Sequence, residues 1–300
     1  MKQLVILSGK GGTGKTTITA ALAHLLARDN RLVLVDADVD APNLGLILHP
    51  RVIAKTRFFG SKRATIDPAL CTACGRCAEV CRYEAIVQHD GTYQVEPSGC
   101  EGCATCFYQC PAEAIRMEER LSGHWFHSET RFGPFIHALL RPGEENSGKL
   151  VSTVRQQAFI LAEEQKADWI LVDGAPGIGC PVIAAVTGVD LALLVAEPTV
   201  SGVHDLQRAL EVTAHFRVPA AVCINKSDIN LQLADEIIRF CDEQQIPVLA
   251  QIPYDEIVIQ AMRQGLAVTE LAANAVGQQI EALYQGLLSW RGPAMPQATK

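Results

Sequence analysis

The chain has 300 residues, 48% of them apolar and 20% charged, with a formal charge of −7. That excludes a disordered or fibrous chain and is enough for one large domain with its own core plus one small domain. An acidic balance without a Lys/Arg stripe interleaved with aromatics gives no support to a nucleic-acid partner.

The N-terminus, KQLVILSGKGGTGKTTITAALAHLLA, predicts a strand over 4–7, a Gly-rich turn, and a helix with apolar residues at helical spacing. The run Leu4–Leu7 meets Lys10 too soon to be a signal-peptide core. Gly9, Gly14, Lys15 and Thr16 satisfy G-x4-G-K-[ST]. In such a loop the backbone amides and the helix N-terminus cradle phosphates, with Lys15 reaching the β- and γ-phosphates and Thr16 a Mg²⁺.

A second lysine makes the string more specific. GKGGTGKTT (Gly9, Lys10, Gly11, Gly12, Thr13, Gly14, Lys15, Thr16, Thr17) resembles the deviant Walker A motif of the superfamily of MinD, ParA, Mrp and the nitrogenase iron protein. The resemblance implies an ATPase that binds ATP and Mg²⁺ through this loop. It also implies an ATP-dependent dimer, of this chain with itself or with a related ATPase, in which Lys10 reaches across to the partner's nucleotide. Lys10 and Lys15 are its catalytic lysines.

The next strand, 32–35, runs into Asp36 and Asp38. A carboxylate just past a strand end can orient an attacking water or hold Mg²⁺ through its hydration shell. LVLVDADVDAPNLGL is similar to the family's switch I, which implies that Asp38 positions the water and Asp36 lies nearer the metal; Asp40 reads as solvated.

Residues 71–86 and 100–115 then superimpose at one constant offset of 29, CTACGRCAEVCRYEAI over CEGCATCFYQCPAEAI, each reading C-x2-C-x2-C-x3-C. Without a secretion signal these thiols are expected to stay reduced, and clustering of eight among the chain's eleven cysteines points to metal. Structural zinc also takes four thiolates, but zinc ribbons pair two knuckles across a longer loop. The spacing is that of two-cluster bacterial ferredoxins. That resemblance implies Cys71, Cys74, Cys77 and Cys110 on one [4Fe–4S] cluster and Cys81, Cys100, Cys103 and Cys106 on the other. Pro111 follows the last cysteine of the second copy, whereas Arg82 stands there in the first.

Residues 122–149, rich in Gly, His and aromatics, suit a hairpin beside the ferredoxin. WILVDGAPGIGCP places Asp173 after strand 169–172; it looks like the Walker B aspartate, and with Gly177 it forms the D-x3-G of switch II, whose amide can sense a γ-phosphate. Cys180 follows Asp173 by seven residues, the spacing at which the nitrogenase iron protein carries a ligand of its subunit-bridging cluster. One thiol per subunit leaves such a cluster short of thiolates, so Cys180 reads as a buried structural cysteine; Cys223 and Cys241 read as ordinary core residues. The most apolar stretch, 181–196, is broken by Asp190 and falls short of a membrane span. Strands 191–195, 220–224 and 248–252 follow; Asn225 stands where the family reads the adenine edge, and Pro253 and Tyr254 where it flanks the base. Val276, Ile280, Leu283 and Leu287, with Gln and Glu between them, read as a packing helix rather than a membrane anchor.

Strands alternating with helices predict an α/β fold with a mainly parallel, doubly wound sheet. Every proposed nucleotide residue follows a strand's C-terminal end, where such sheets bind ligands. The expected organisation is a discontinuous P-loop ATPase of residues 1–57 and 122–300 interrupted by a small α+β ferredoxin domain at 62–118. Three functions compete: an ATP-gated electron carrier, a cluster or metallocofactor assembly ATPase, and a positioning ATPase. The first uses both halves, with a redox or metallocofactor client as partner. No C-x-x-C follows residue 110 to resemble the labile site of Mrp-like carriers, and no basic tail supports a membrane partner, so the expectation is a cytoplasmic protein.

Overall fold

A computed structural model describes residues 1–144 and 146–290; the last ten residues of the expected ATPase domain, with Arg291, lie outside the described residues. The chain forms two compact units. One comprises Met1–Thr56, Trp125–Leu139 and the chain from Ser147; the other comprises Arg57–His124 with Leu140–Asn146.

In chain order, β1 (Lys2–Ser8), α1 (Lys15–Leu26), β2 (Leu32–Asp36) and α2 (Gly45–Leu48) lead to β3 (Arg51–Ile66). The cysteine-rich segment holds α3 (Arg76–Glu79), β4 (Ile86–His89), β5 (Thr92–Val95) and α4 (Thr105–Gln109), and β6 (Ile115–Thr130) leads out of it. Next come β7 (Gly133–Leu140), α5 (Ser147–Gln165), β8 (Trp169–Pro176), α6 (Cys180–Val186) and β9 (Leu191–Ala196). The chain continues through α7 (Val200–His215), β10 (Ala220–Asn225), α8 (Leu231–Glu243), β11 (Val248–Ile252), α9 (Ile257–Arg263) and α10 (Ala275–Ser289).

The large sheet has the order β11-β10-β9-β1-β8-β2-β7-β6-β3. The pairs from β11 to β7 are parallel. The six strands expected from apolar runs are all present, and five of them are covered on both faces: Leu4, Val5, Ile6, Leu34, Leu171 and Leu193 are wholly buried, whereas the edge strand β11 leaves Gln251 exposed. Helix α10 packs through Val276, Ile280, Leu283 and Leu287 into the core that holds Leu22 and Leu25 of α1, each burial contributing about 1.5–3 kcal/mol. It is the packing helix its spacing predicted. Among the described residues, no helix is long and apolar enough to cross a membrane.

The segment after Ser122 does form a hairpin, β6–β7, but both its strands belong to the large sheet, β7 pairing with β2 through Leu34 and Phe135. Cys223 and Cys241 are buried as expected, whereas Cys180 is exposed. Cys180 opens α6 directly after a glycine loop, and the core-facing residues of that helix are Val182, Ala185 and Val186.

In the cysteine-rich unit the sequence repeat is a repeat of conformation. Left-handed backbone at Ala73, Gly75 and Glu84 recurs 29 residues later at Gly102, Ala104 and Glu113. Cys77 and Cys106, each 8% exposed, share a small core with Ala64, Ile86 and Ile115.

Candidate functional site

The P-loop joins the end of β1 to α1. Gly12 and Gly14 have φ of 80° and 93°, and a side chain at Gly14 would collide with Asn225, so glycine is required there by both backbone and space. Helix α1 has no side-chain cap at its N-terminus, leaving its first amides to an anion. Lys15, 8% exposed, donates to Ser8 Oγ at 2.8 Å. Burial lowers its pKa against the opposing charges of Asp173, Asp38 and Asp36. Among the described residues it makes no ion pair, so a phosphate would supply the counter-charge this buried ammonium lacks.

Two strand ends gather the carboxylates. Asp36 of β2 and Asp173 of β8 are register partners and almost fully buried. Thr16 Oγ1 lies 2.7 Å from Asp173 Oδ2 and 2.8 Å from Asn43 Oδ1, and Thr19 Oγ1 donates to Asp173 Oδ1 at 2.9 Å. Asp36 accepts the amides of Asp38 and Leu44 at 3.0 and 3.1 Å; burial first, then Asp173, pushes its carboxyl well above the ordinary range. Thr16, Asp36 and Asp173 thus make an oxygen-rich cluster suited to Mg²⁺, held directly or through water. Asp38, half-buried, accepts from the Ala41 amide at 3.3 Å, and burial raises its carboxyl as well. Asp40 is exposed, as expected.

A cleft of about 580 Å³ opens over these groups. Gly11, Gly12, Gly14, Lys15, Thr16, Thr17 and Asp38 line its polar end; Asn225, Pro253, Tyr254 and the apolar Val258 and Ile280 line the rest. Asn225 Nδ2 also donates to the Thr13 carbonyl at 2.7 Å and so braces the loop. The Gly177 amide donates to the Ser8 carbonyl at 2.9 Å. Gly9 closes against Asp205, where a side chain would collide with the backbone. The Thr13 hydroxyl is buried without a partner.

Lys10 is docked on its own chain, 3.0 Å from Glu197 Oε2, 2.9 Å from Thr199 Oγ1 and 3.3 Å from Ser201 Oγ. Lys226 shares Glu197 at 2.8 Å. Partial burial pushes the Glu197 carboxyl up, but hydrogen bonds and charge from Lys226 and Lys10 outweigh it and hold the carboxyl below its ordinary value. Sequence reasoning missed Glu197, Thr199, Ser8, Thr19 and Asn43. The available signal for Thr19 was a polar residue one helical turn beyond Lys15 on an otherwise apolar helix.

The family model for the CobQ/CobB/MinD/ParA nucleotide binding domain matches residues 4–268. The chain belongs to this family. An uncharacterized protein of Methanocaldococcus jannaschii is 37% identical over 228 residues, covering 76% of this chain and 79% of its own length. Two solved structures share the fold: the cell division ATPase MinD of Pyrococcus furiosus (TM-score 0.58, 19% identity, 96% of this chain and 98% of that one) and the septum site-determining protein MinD of Pyrococcus horikoshii, complexed with Mg-ADP (TM-score 0.60, 17% identity, 96% of each chain). Members of the MinD/ParA family are ATPases, and the P-loop site of this member has the groups that nucleotide and Mg²⁺ require.

The carboxylates of this MinD/ParA-family site predict a pH dependence. Burial first, with Asp38 adding, raises Asp173 to about 6 against the opposing hydrogen bonds of Thr16 and Thr19 and the charge of Lys15. Its folded value lies above the unfolded 3.8, so folding takes up a proton between the two; the resulting stabilisation is complete below the unfolded value and lost as pH rises through about 6. Urea titrations of the nucleotide- and metal-free protein from about pH 4 to about pH 8 are expected to show a component of up to about 3 kcal/mol that Asp173→Asn removes. Mg²⁺ binding has the opposite sign, because it needs the carboxylate, and is expected to strengthen as pH rises through about 6. Identical pH profiles for wild type and Asp173→Asn contradict the assignment.

The second candidate site lies in the cysteine-rich unit, where all eight thiols are free of disulfides. One small cavity is lined by Cys71, Cys74, Cys77 and Cys110, with Ile66 and Tyr93. Another is lined by Cys81, Cys100, Cys103 and Cys106, with Tyr83 and Met117. Among the described residues no three His, Cys, Asp or Glu side chains meet closely enough to hold a single ion. A cubane bonds each thiolate to a different iron, so its ligands ring a space rather than converge on a point, and these two sets of thiols fit that requirement.

Proposed function

We propose that this MinD/ParA-family ATPase carries two [4Fe–4S] clusters and couples a nucleotide-dependent dimerisation cycle to electron transfer through them. The observation that carries the reading is the pair of cavities in the cysteine unit, each lined by one of the two interlocked sets of four thiols. Each cluster, once bound, supplies a one-electron redox centre. Complete thiolate ligation favours retention of the clusters over their delivery to an acceptor, which suits an electron carrier.

In the nucleotide half, Lys15 and the amides of the deviant Walker A loop bind the phosphates; Thr16, Asp36 and Asp173 hold Mg²⁺; Asp38 orients the attacking water. Asn225, Pro253 and Tyr254 flank the base. Lys10 leaves Glu197 and Thr199 on dimerisation and contacts the partner's nucleotide, and Gly177 senses the γ-phosphate. The cysteine segment enters the sequence after Asp38 and before Asp173, the two carboxylate switches, which is where an inserted domain has most to gain from hydrolysis-driven movement. The partner is a second ATPase subunit, identical or related, and a redox or metallocofactor client.

Protein purified anaerobically is expected to hold about eight iron atoms per chain, measured by iron and sulfide assay. Near-zero iron with stoichiometric zinc overturns the reading. Cys103→Ser is expected to lose one cluster preferentially, leaving about half the iron.

A further inference from the structure

The two cysteine repeats match so closely that their few differences stand out. Cys74 and Cys103, the second cysteines of the two copies, are both exposed, while Cys77 and Cys106 are buried to the same extent. The loops around them have the same pattern of left-handed residues, and a tyrosine lines each cavity. Solvent exposure and backbone therefore do little to distinguish the two sites.

Hydrogen bonding does distinguish them. The Thr105 hydroxyl lies 3.4 Å from Cys103 Sγ. A sulfur bonded to iron carries no proton, so at that site the hydroxyl is the donor. The residue at the same place in the first copy is Arg76, whose guanidinium turns away to Glu79 at 3.0 Å and Gln109 at 3.4 Å, its charge offset by Glu79. Charge adds little to the contrast: exposed Arg82 follows Cys81 where the second copy has Pro111, but Glu101 lines the same cavity and opposes it. A donor to a ligating sulfur stabilises the more negative, reduced state of a cluster.

We propose that Thr105 makes the site of Cys81, Cys100, Cys103 and Cys106 the more easily reduced of the two. A low-potential one-electron donor delivers one electron to the unit; the electron passes from the site of Cys71, Cys74, Cys77 and Cys110, which is re-oxidised, to the site of Cys103, which is reduced, and no bond or proton moves. The Cys103 site is the resting place of the first electron and the Cys71 site the stronger reductant. This rests on the cluster reading above.

The test is a potentiometric titration, monitored by electron paramagnetic resonance, of the anaerobically purified full chain after its iron has been counted. Wild type is expected to show two separable one-electron waves. Thr105→Val is expected to move only the higher wave downward, shifting the partition of one electron between the sites by roughly tenfold, while Thr105→Ser, which keeps the hydroxyl, stays at the wild-type position. Should Thr105→Val fail to retain iron, Thr105→Ala carries the comparison. Iron near zero in wild type defeats the cluster reading and this inference with it. About eight irons with coincident waves, or with variants that move the lower wave or neither, defeats the inference and leaves the cluster reading standing.

Discussion

Lys15→Ala is expected to weaken ATP binding by about 100-fold or more, read by titration with a fluorescent ATP analogue. The buried ammonium bonds to Ser8 and makes no ion pair among the described residues. A phosphate therefore gains a charge-assisted bond in partly desolvated surroundings, worth about 1.5–3 kcal/mol for each oxygen engaged. Removing the side chain removes that gain and also relieves a buried charge, so the nucleotide-free variant is expected to melt no lower than wild type. A variant that binds ATP normally shows that the loop holds phosphates by its amides alone. One that binds poorly and also melts early shows a folding defect instead.

Asp38→Asn is expected to have the opposite division of effects: ATP affinity within a few-fold of wild type, and hydrolysis slower by about 100-fold or more, measured in a single turnover with Mg²⁺. Asp38 lines the cleft beside Lys15, and although its amide donates to Asp36 Oδ1, its carboxylate is not bonded to Thr16, Asp36 or Asp173. Among the described residues that carboxylate accepts only the Ala41 amide at 3.3 Å, which leaves oxygen to orient a water. Asparagine preserves size and that one hydrogen bond but removes the charge that draws a proton from the water. With hydrolysis blocked, the ATP-bound dimer accumulates and is read by light scattering. Wild-type hydrolysis by Asp38→Asn, with the partner present, removes Asp38 from the chemistry.

Much of this protein is determined by short segments of its sequence. The G-x4-G-K-[ST] loop depends on residues covalent neighbours can arrange, since glycines, strand end and helix start lie within ten positions of one another. The cysteine repeat is similarly local. Five of the six apolar strands are legible because a parallel strand covered on both faces must be a continuous run of apolar residues. Strand β3 was not legible for the converse reason: RVIAKTRFFGSKRATI is largely exposed, so neither a continuous apolar run nor a clean alternation marks it.

Tertiary structure alone decided the rest, because it depends on strand order and on contacts between distant residues. Asp36 and Asp173 are 137 positions apart, yet β8 pairs with β2 in the register that buries them side by side and raises both carboxyls. Glu197 reaches Lys10 because β9 pairs with β1, and nothing near Glu197 in sequence announces a lysine partner. Asn225 was expected to face a base; the adjacency of strand ends also makes it the brace of the P-loop through Thr13. Cys180 was expected to be a buried structural cysteine, but the chain turns into α6 at that point and places it in solvent. Local spacing sets which chemistry a segment can perform; the order and register of the strands set which segments perform it together.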